Sequence, residues 1–166
     1  MSKNPIKMMQ MLIDIEMKMF RGLNIKVIFL QNIITDLILG YSIREIFFEY
    51  CEYIRKKYRV LPGLITQNLP FLLMKLNEWE IKEVVICSSF NKIGYLMSPN
   101  VESYVEITKI NNPNDYKLMA MSTLASGAIP AKEAYGFINE QNVQAVVFGA
   151  SDRKHIEETV KLINIR

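Results

Sequence analysis

The feature that most constrains this chain is a fivefold alternation of short apolar runs with helix-periodic stretches. Residues 26–31, 60–66, 83–88, 117–122 and 143–148 are each close to continuously apolar instead of alternating with polar positions, which is how strands covered on both faces read. Helical periodicity follows each run. Ser42 opens one stretch carrying Ile43, Ile46, Phe47, Tyr50 and Ile54 on a single face. Residues 68–77 form another with proline in the first turn, and residues 101–110, 131–139 and 152–163 complete the set. This order predicts an α/β fold in which a parallel sheet carries helices packed on it. No low-complexity linker or sequence repeat divides the 166 residues, so residues 1–166 are expected to form one domain.

Residues 1–24 stand apart from the alternation and hold six of the ten methionines. Met8, Met11, Ile15 and Met19 fall three to four residues apart with Asp14, Glu16 and Lys18 between them, the spacing of an amphipathic helix. Two uses fit such a helix: flexible packing against the core, or docking on a membrane surface or a partner.

Composition excludes several functions. Twenty basic against seventeen acidic residues leave a formal +3 without a basic tail, so nucleic acid is not an expected partner. One histidine, His155, and two cysteines, Cys51 and Cys87, leave no metal site and no disulfide framework to expect. Charges interrupt every apolar run well short of the roughly 20 residues of a membrane span, and no signal-peptide pattern is visible, so the expected location is cytoplasmic.

In parallel α/β sheets ligands bind beyond the carboxyl ends of the strands. Five segments qualify: residues 31–36, 66–68, 88–92, 122–127 and 149–153. Two of them leave their strand through small residues and enter a helix, namely Ser122-Thr-Leu-Ala-Ser-Gly127 and Gly149-Ala-Ser-Asp152. Such loops let backbone amides approach a phosphate at a helix N-terminus. Gly127 and Gly149 are equally suited to tight turns alone, and Ser151 or Asp152 to capping a helix. Asp152 would compete with an anion for the same amides, with Arg153 and Lys154 offsetting its charge.

The carboxyl-terminal part resembles the aldo/keto reductases. Residues 117–127, Lys-Leu-Met-Ala-Met-Ser-Thr-Leu-Ala-Ser-Gly, are similar to that family's seventh strand and the loop after it. Residues 146–159, Val-Val-Phe-Gly-Ala-Ser-Asp-Arg-Lys-His-Ile-Glu-Glu-Thr, are similar to its eighth strand and following helix. Residues 60–68 and 84–94 resemble the fifth and sixth strands more thinly, and residues 26–31 would be the fourth.

The resemblance implies the later part of an eight-stranded β/α barrel, a partial TIM-barrel-like unit that binds the phosphates and adenosine of an NAD(P)-type cofactor or another phosphorylated metabolite. By position, Ser122, Leu124, Ser126, Gly127, Gly149, Ser151 and Arg153 would face the phosphates and Glu158 the adenine. Thr159 replaces the family's usual Asn, and Ser151 stands where a basic residue for the 2′-phosphate is common. The family's catalytic Asp, Tyr and Lys belong to strands with no counterpart here. Gln31 takes the position of its His, and a glutamine hydrogen-bonds a carbonyl without acting as an acid or base. The resemblance therefore implies ligand binding without reductase activity by this chain alone.

Two other functions come from the residues themselves. Lys92, beyond the third apolar run, would serve a Schiff-base lyase of the class I aldolase type if its amine were kept neutral, and is otherwise a solvated loop lysine with Ser89 and Asn91 as polar neighbours. A non-enzymatic oligomeric module is the other. Five strands do not close an eight-stranded barrel, so Leu30, Ile65, Ile86, Met119 and Val147 are expected on a face that needs covering. The amino-terminal helix, a second copy in a homo-oligomer, or a partner chain completing the barrel would cover it, and a truncated coding sequence would also account for it.

Overall fold

The computed structural model describes residues 4–163; the first three residues of the methionine-rich segment lie outside the described residues. Seven helices and five strands alternate: α1 (Pro5–Met17), β1 (Val27–Leu30), α2 (Asn32–Gly40), α3 (Arg44–Tyr53), β2 (Leu61–Thr66), α4 (Leu69–Glu78), β3 (Val84–Ser89), α5 (Val101–Ile110), β4 (Tyr116–Met121), α6 (Ala131–Asn139), β5 (Ala145–Val146) and α7 (Arg153–Ile163). The strands form one sheet in the order β1-β2-β3-β4-β5, every neighbouring pair parallel. Sequential order with right-handed crossovers sends all connecting helices to one face. This is the parallel sheet with packed helices that the alternation predicts, and it is consistent with a partial β/α barrel-like unit. Among the described residues no helix is long and apolar enough to cross a membrane.

Register builds the core. Leu30, Leu64, Ile86 and Leu118 lie opposite one another across four strands. They meet Phe47, Leu72, Leu76 and Tyr104 from the helices in a single buried cluster. Pro62, which has no N–H to give, precedes the start of the β2–β3 ladder at Gly63↔Val85. Gly63 has a second role: a Cβ there would collide with the Phe29 ring, which lies across it from β1.

The opposite face differs from the expectation of strands covered on both sides. In β4, Tyr116, Leu118 and Ala120 are buried while Lys117 is exposed and Met119 and Met121 are half-buried; only β3 is buried along its whole length. The residues expected on the uncovered face divide between the two. Leu30 and Ile86 point to the helices, because each is in register with Leu64. Ile65 and Met119 share the other face through Cys87, and Val147 is 46% exposed.

Asparagine caps explain three of the helix starts. Asn4, Asn68 and Asn100 accept hydrogen bonds from first-turn amides of α1, α4 and α5. Ser42 does not cap α3. Residues 32–40, read as loop, form α2, and Ser42 is the left-handed residue (φ 52°) that ends it. Its N–H donates to Leu39 O and that of Ile43 to Ile38 O, a Schellman-type stop. Residues 143–148 give a strand of only two residues, extended by bonds from Gln144 N to Leu118 O and Val147 N to Ala120 O.

α1 docks by a different stripe from the expected one. Met9 and Ile13 pack on the core, whereas Met8, Met11, Ile15 and Met19 are exposed. A polar clamp fixes the helix: the Asp14 carboxylate accepts from Tyr53 Oη and Tyr58 Oη at 2.6 Å each and from Lys57 Nζ. Those bonds, Lys57 first, hold the Asp14 carboxyl at about 2. Burial leaves both free thiols far from ionisation, Cys51 pushed up to about 12 and Cys87 to about 11.

Candidate functional site

The carboxyl ends of the central strands carry a polar layer whose groups mostly satisfy one another. Ser88 Oγ donates to Thr66 O at 2.8 Å, Tyr104 Oη donates to Gln67 O at 2.8 Å, and Leu69 N donates to Tyr104 Oη at 3.1 Å. Asp36, inside α2, accepts from Thr66 Oγ1 at 2.5 Å and Gln67 N at 3.0 Å and so pins the β2–α4 loop. Asn91, fully buried, donates to Tyr95 O and Ser122 O and accepts from Tyr95 N. These groups hold loops in place.

Lys92 lies outside this layer. Its ammonium is half-exposed and 2.7 Å from Glu133 Oε1. The amine therefore meets a solvated carboxylate and not a closed pocket. Gln31 is exposed at the end of β1, three and four strands removed from the β4 and β5 loops, and makes no side-chain cap on α2.

The two glycine-containing loops end up with different amide chemistry. After β4 the chain passes through left-handed Ser122, Ala125 and Ser126 into a short 3-10 turn. Ala125 N donates to Ser122 O, Gly127 N to Leu124 O, Ala128 N to Ala125 O and Ile129 N to Leu124 O. Two amides of the loop expected to approach a phosphate, those of Ala125 and Gly127, are thus consumed locally, as are the next two along the chain. After β5, among the described residues, the amides of Gly149, Ala150 and Ser151 donate to no carbonyl or side chain. Asp152 turns inward on its own helix, accepting His155 N at 3.0 Å and lying 3.0 Å from His155 Nδ1.

A groove of about 560 Å³ opens between the β4 loop, the start of α6 and α7. It is lined by Leu124, Gly149, Ser151 and Glu158, four of the residues singled out from the sequence, together with His155, Thr159 and Lys161. Ser122, Ser126, Gly127 and Arg153 lie outside it. Arg153 is 91% exposed and pairs with Glu157 at 2.7 Å along α7. Helical spacing carries the signal that sequence reading missed: Ser151, His155, Glu158 and Leu162 follow each other at three- and four-residue steps on the groove side, with Thr159 beside Glu158. Arg153 and Glu157 belong to a different stripe. Among the described residues no group of three His, Cys, Asp or Glu could hold a metal ion.

Fold and groove together define a class: a parallel β/α half-barrel with a ligand-sized concavity beyond the carboxyl ends of its last two strands. No protein-family model, curated protein or solved structure matches the chain.

Proposed function

We propose that this chain binds a phosphorylated nucleotide of NAD(P) type, or a related phosphorylated metabolite, in the groove between the β4 loop and α7. The supporting observation is the convergence of Leu124, Gly149, Ser151 and Glu158 on one concavity, where the amides of the lining residues Gly149, Ala150 and Ser151 donate to no group among the described residues. In this reading Gly149, Ala150 and Ser151 receive the phosphate, as consecutive N–H groups beside a helix start suit an anion. Leu124 gives an apolar wall to a base, and Glu158 accepts from an exocyclic amine. The chain is a binding partner within a cytoplasmic barrel of the aldo/keto reductase kind, and hydride transfer is not assigned to it alone.

Titration of NADH and NADPH, followed through their own fluorescence, tests the assignment. Saturable binding of either is expected. Ser151→Glu sets a carboxylate against the phosphate, and we expect it to weaken binding at least about tenfold, equivalent to 1.4 kcal/mol. Absence of binding at millimolar nucleotide, or unchanged affinity in Ser151→Glu, contradicts the proposal.

A further inference from the structure

We infer that the slot between α1 and the free edge of β1 is the seat of an added strand: an extended apolar peptide segment of about four or five residues, running parallel to β1. β1 stands first in the sheet, so one of its edges has no strand partner among the described residues. Leu61 N donates to Lys26 O, with Val27 opposite Leu61 and Phe29 opposite Gly63. In a parallel ladder that pattern turns the N–H and C=O groups of Val27 and Phe29 away from β2. They face outward, and Phe29 lines the slot.

Position and size both suit a strand. Helices α4, α5 and α6 each link two neighbouring strands of the sheet, as crossover helices do. α1 is held on α3 by Asp14 and packs as such a helix would, but flanks β1 where the second strand is missing. The slot under it measures about 720 Å³. Strand rise, strand spacing and layer separation give a packed strand about 160 Å³ per residue. The slot therefore takes a segment as long as β1, which has four residues. Its walls are mainly apolar, formed by Met8, Met9, Leu12 and Ile13 of α1 and Ile34 and Ile38 of α2, with Glu16, Gln31 and Tyr50 also in the lining. Methionines adapt such a wall to varied side chains.

The same geometry disfavours other occupants. A second copy would have to offer its β5 edge, which α7 already flanks by docking on α6 through Asn139 Nδ2 and Leu162 O at 2.8 Å, or, antiparallel across a two-fold axis, its own β1 edge, which α1 flanks. Joining either edge to β1 would place two helices, each about 10 Å across, over one seam. A lipid-like molecule would fill the volume and leave the Phe29 backbone groups buried without partners, at a cost in free energy.

The probe is an acetylated, amidated peptide, Val-Thr-Val-Thr-Val, with a twin N-methylated at every residue. Hydrogen exchange at the Val27 and Phe29 amides is the readout. We expect the peptide at millimolar concentration to slow exchange there at least about tenfold and the twin to leave it unchanged. Leu12→Glu, at a position 55% exposed and so tolerable to the fold, should abolish the protection with the circular dichroism spectrum intact. Equal protection by the twin, or by palmitate alone, overturns the inference in favour of an apolar small molecule. Protection that grows with protein concentration in the absence of peptide overturns it in favour of a second copy. No protection under any of these conditions overturns it outright.

Discussion

The two edges of this sheet are finished with opposite chemistry. At the β1 edge a methionine-rich helix is clamped through one carboxylate to two tyrosines and a lysine, and the space beneath it is apolar. At the β5 edge the strand has two residues, the flanking helix is tied by exposed i,i+4 ion pairs, and the concavity is bordered by free amides, a carboxylate and a lysine. The difference separates two tasks. Backbone groups left open beside apolar walls call for another strand, whereas amides left open beside polar side chains call for a charged ligand.

Predictions follow the depth at which each residue is built into this contrast. Leu64→Ala, in the core row common to both edges, should destabilise the protein by about 2–5 kcal/mol in urea unfolding. Exchange probes at Val27 and Val146 should both report that loss; separate transitions would mean that the edges are independent units. Tyr50→Phe acts at the β1 side alone. The Tyr50 hydroxyl, in a side chain buried by α3, bonds Ile28 O at 2.7 Å and Gly63 O at 3.2 Å, and its removal should cost about 1–3 kcal/mol.

Asp14→Asn should loosen α1 by about 1 kcal/mol, because the carboxylate is a third exposed and its attractions are screened. The sign with pH follows from its depressed ionisation. Asp14 stabilises the fold fully above the ordinary aspartate value of 3.8, and that contribution is lost as pH falls through about 2. Acid unfolding should therefore differ between wild type and Asp14→Asn between about pH 4 and pH 2, and a difference confined to neutral pH would contradict the clamp. Arg153→Ala should change stability by less than about 0.5 kcal/mol, since its pair with Glu157 is solvated.

The strands and the five helices α3 to α7 are legible in the sequence, several because their limits are set by local chemistry: asparagine caps at 68 and 100, proline in the first turn of α4, and apolar runs of strand length. α2 is not legible. Ile33, Ile34, Leu37, Ile38 and Leu39 form a nearly unbroken apolar run without a side-chain cap, and such a run has no period to read. α1 misleads for a related reason: methionines lie nearly all round it, so two stripes look equally apolar and only the Asp14 clamp decides between them. At the candidate site, Leu124, Gly149, Ser151 and Glu158, singled out through the resemblance, line one groove. It does not reveal that a 3-10 turn spends the Gly127 amide, because that depends on left-handed backbone at Ala125 and Ser126.

The contrast between the edges is tested most directly by following backbone amide shifts by NMR while NADPH is added to the intact chain. The account predicts shifts at Gly149, Ala150, Ser151 and Leu124, with Val27 and Phe29 unmoved. Shifts centred on Val27 and Phe29, or none at Gly149 and Ser151, would contradict it.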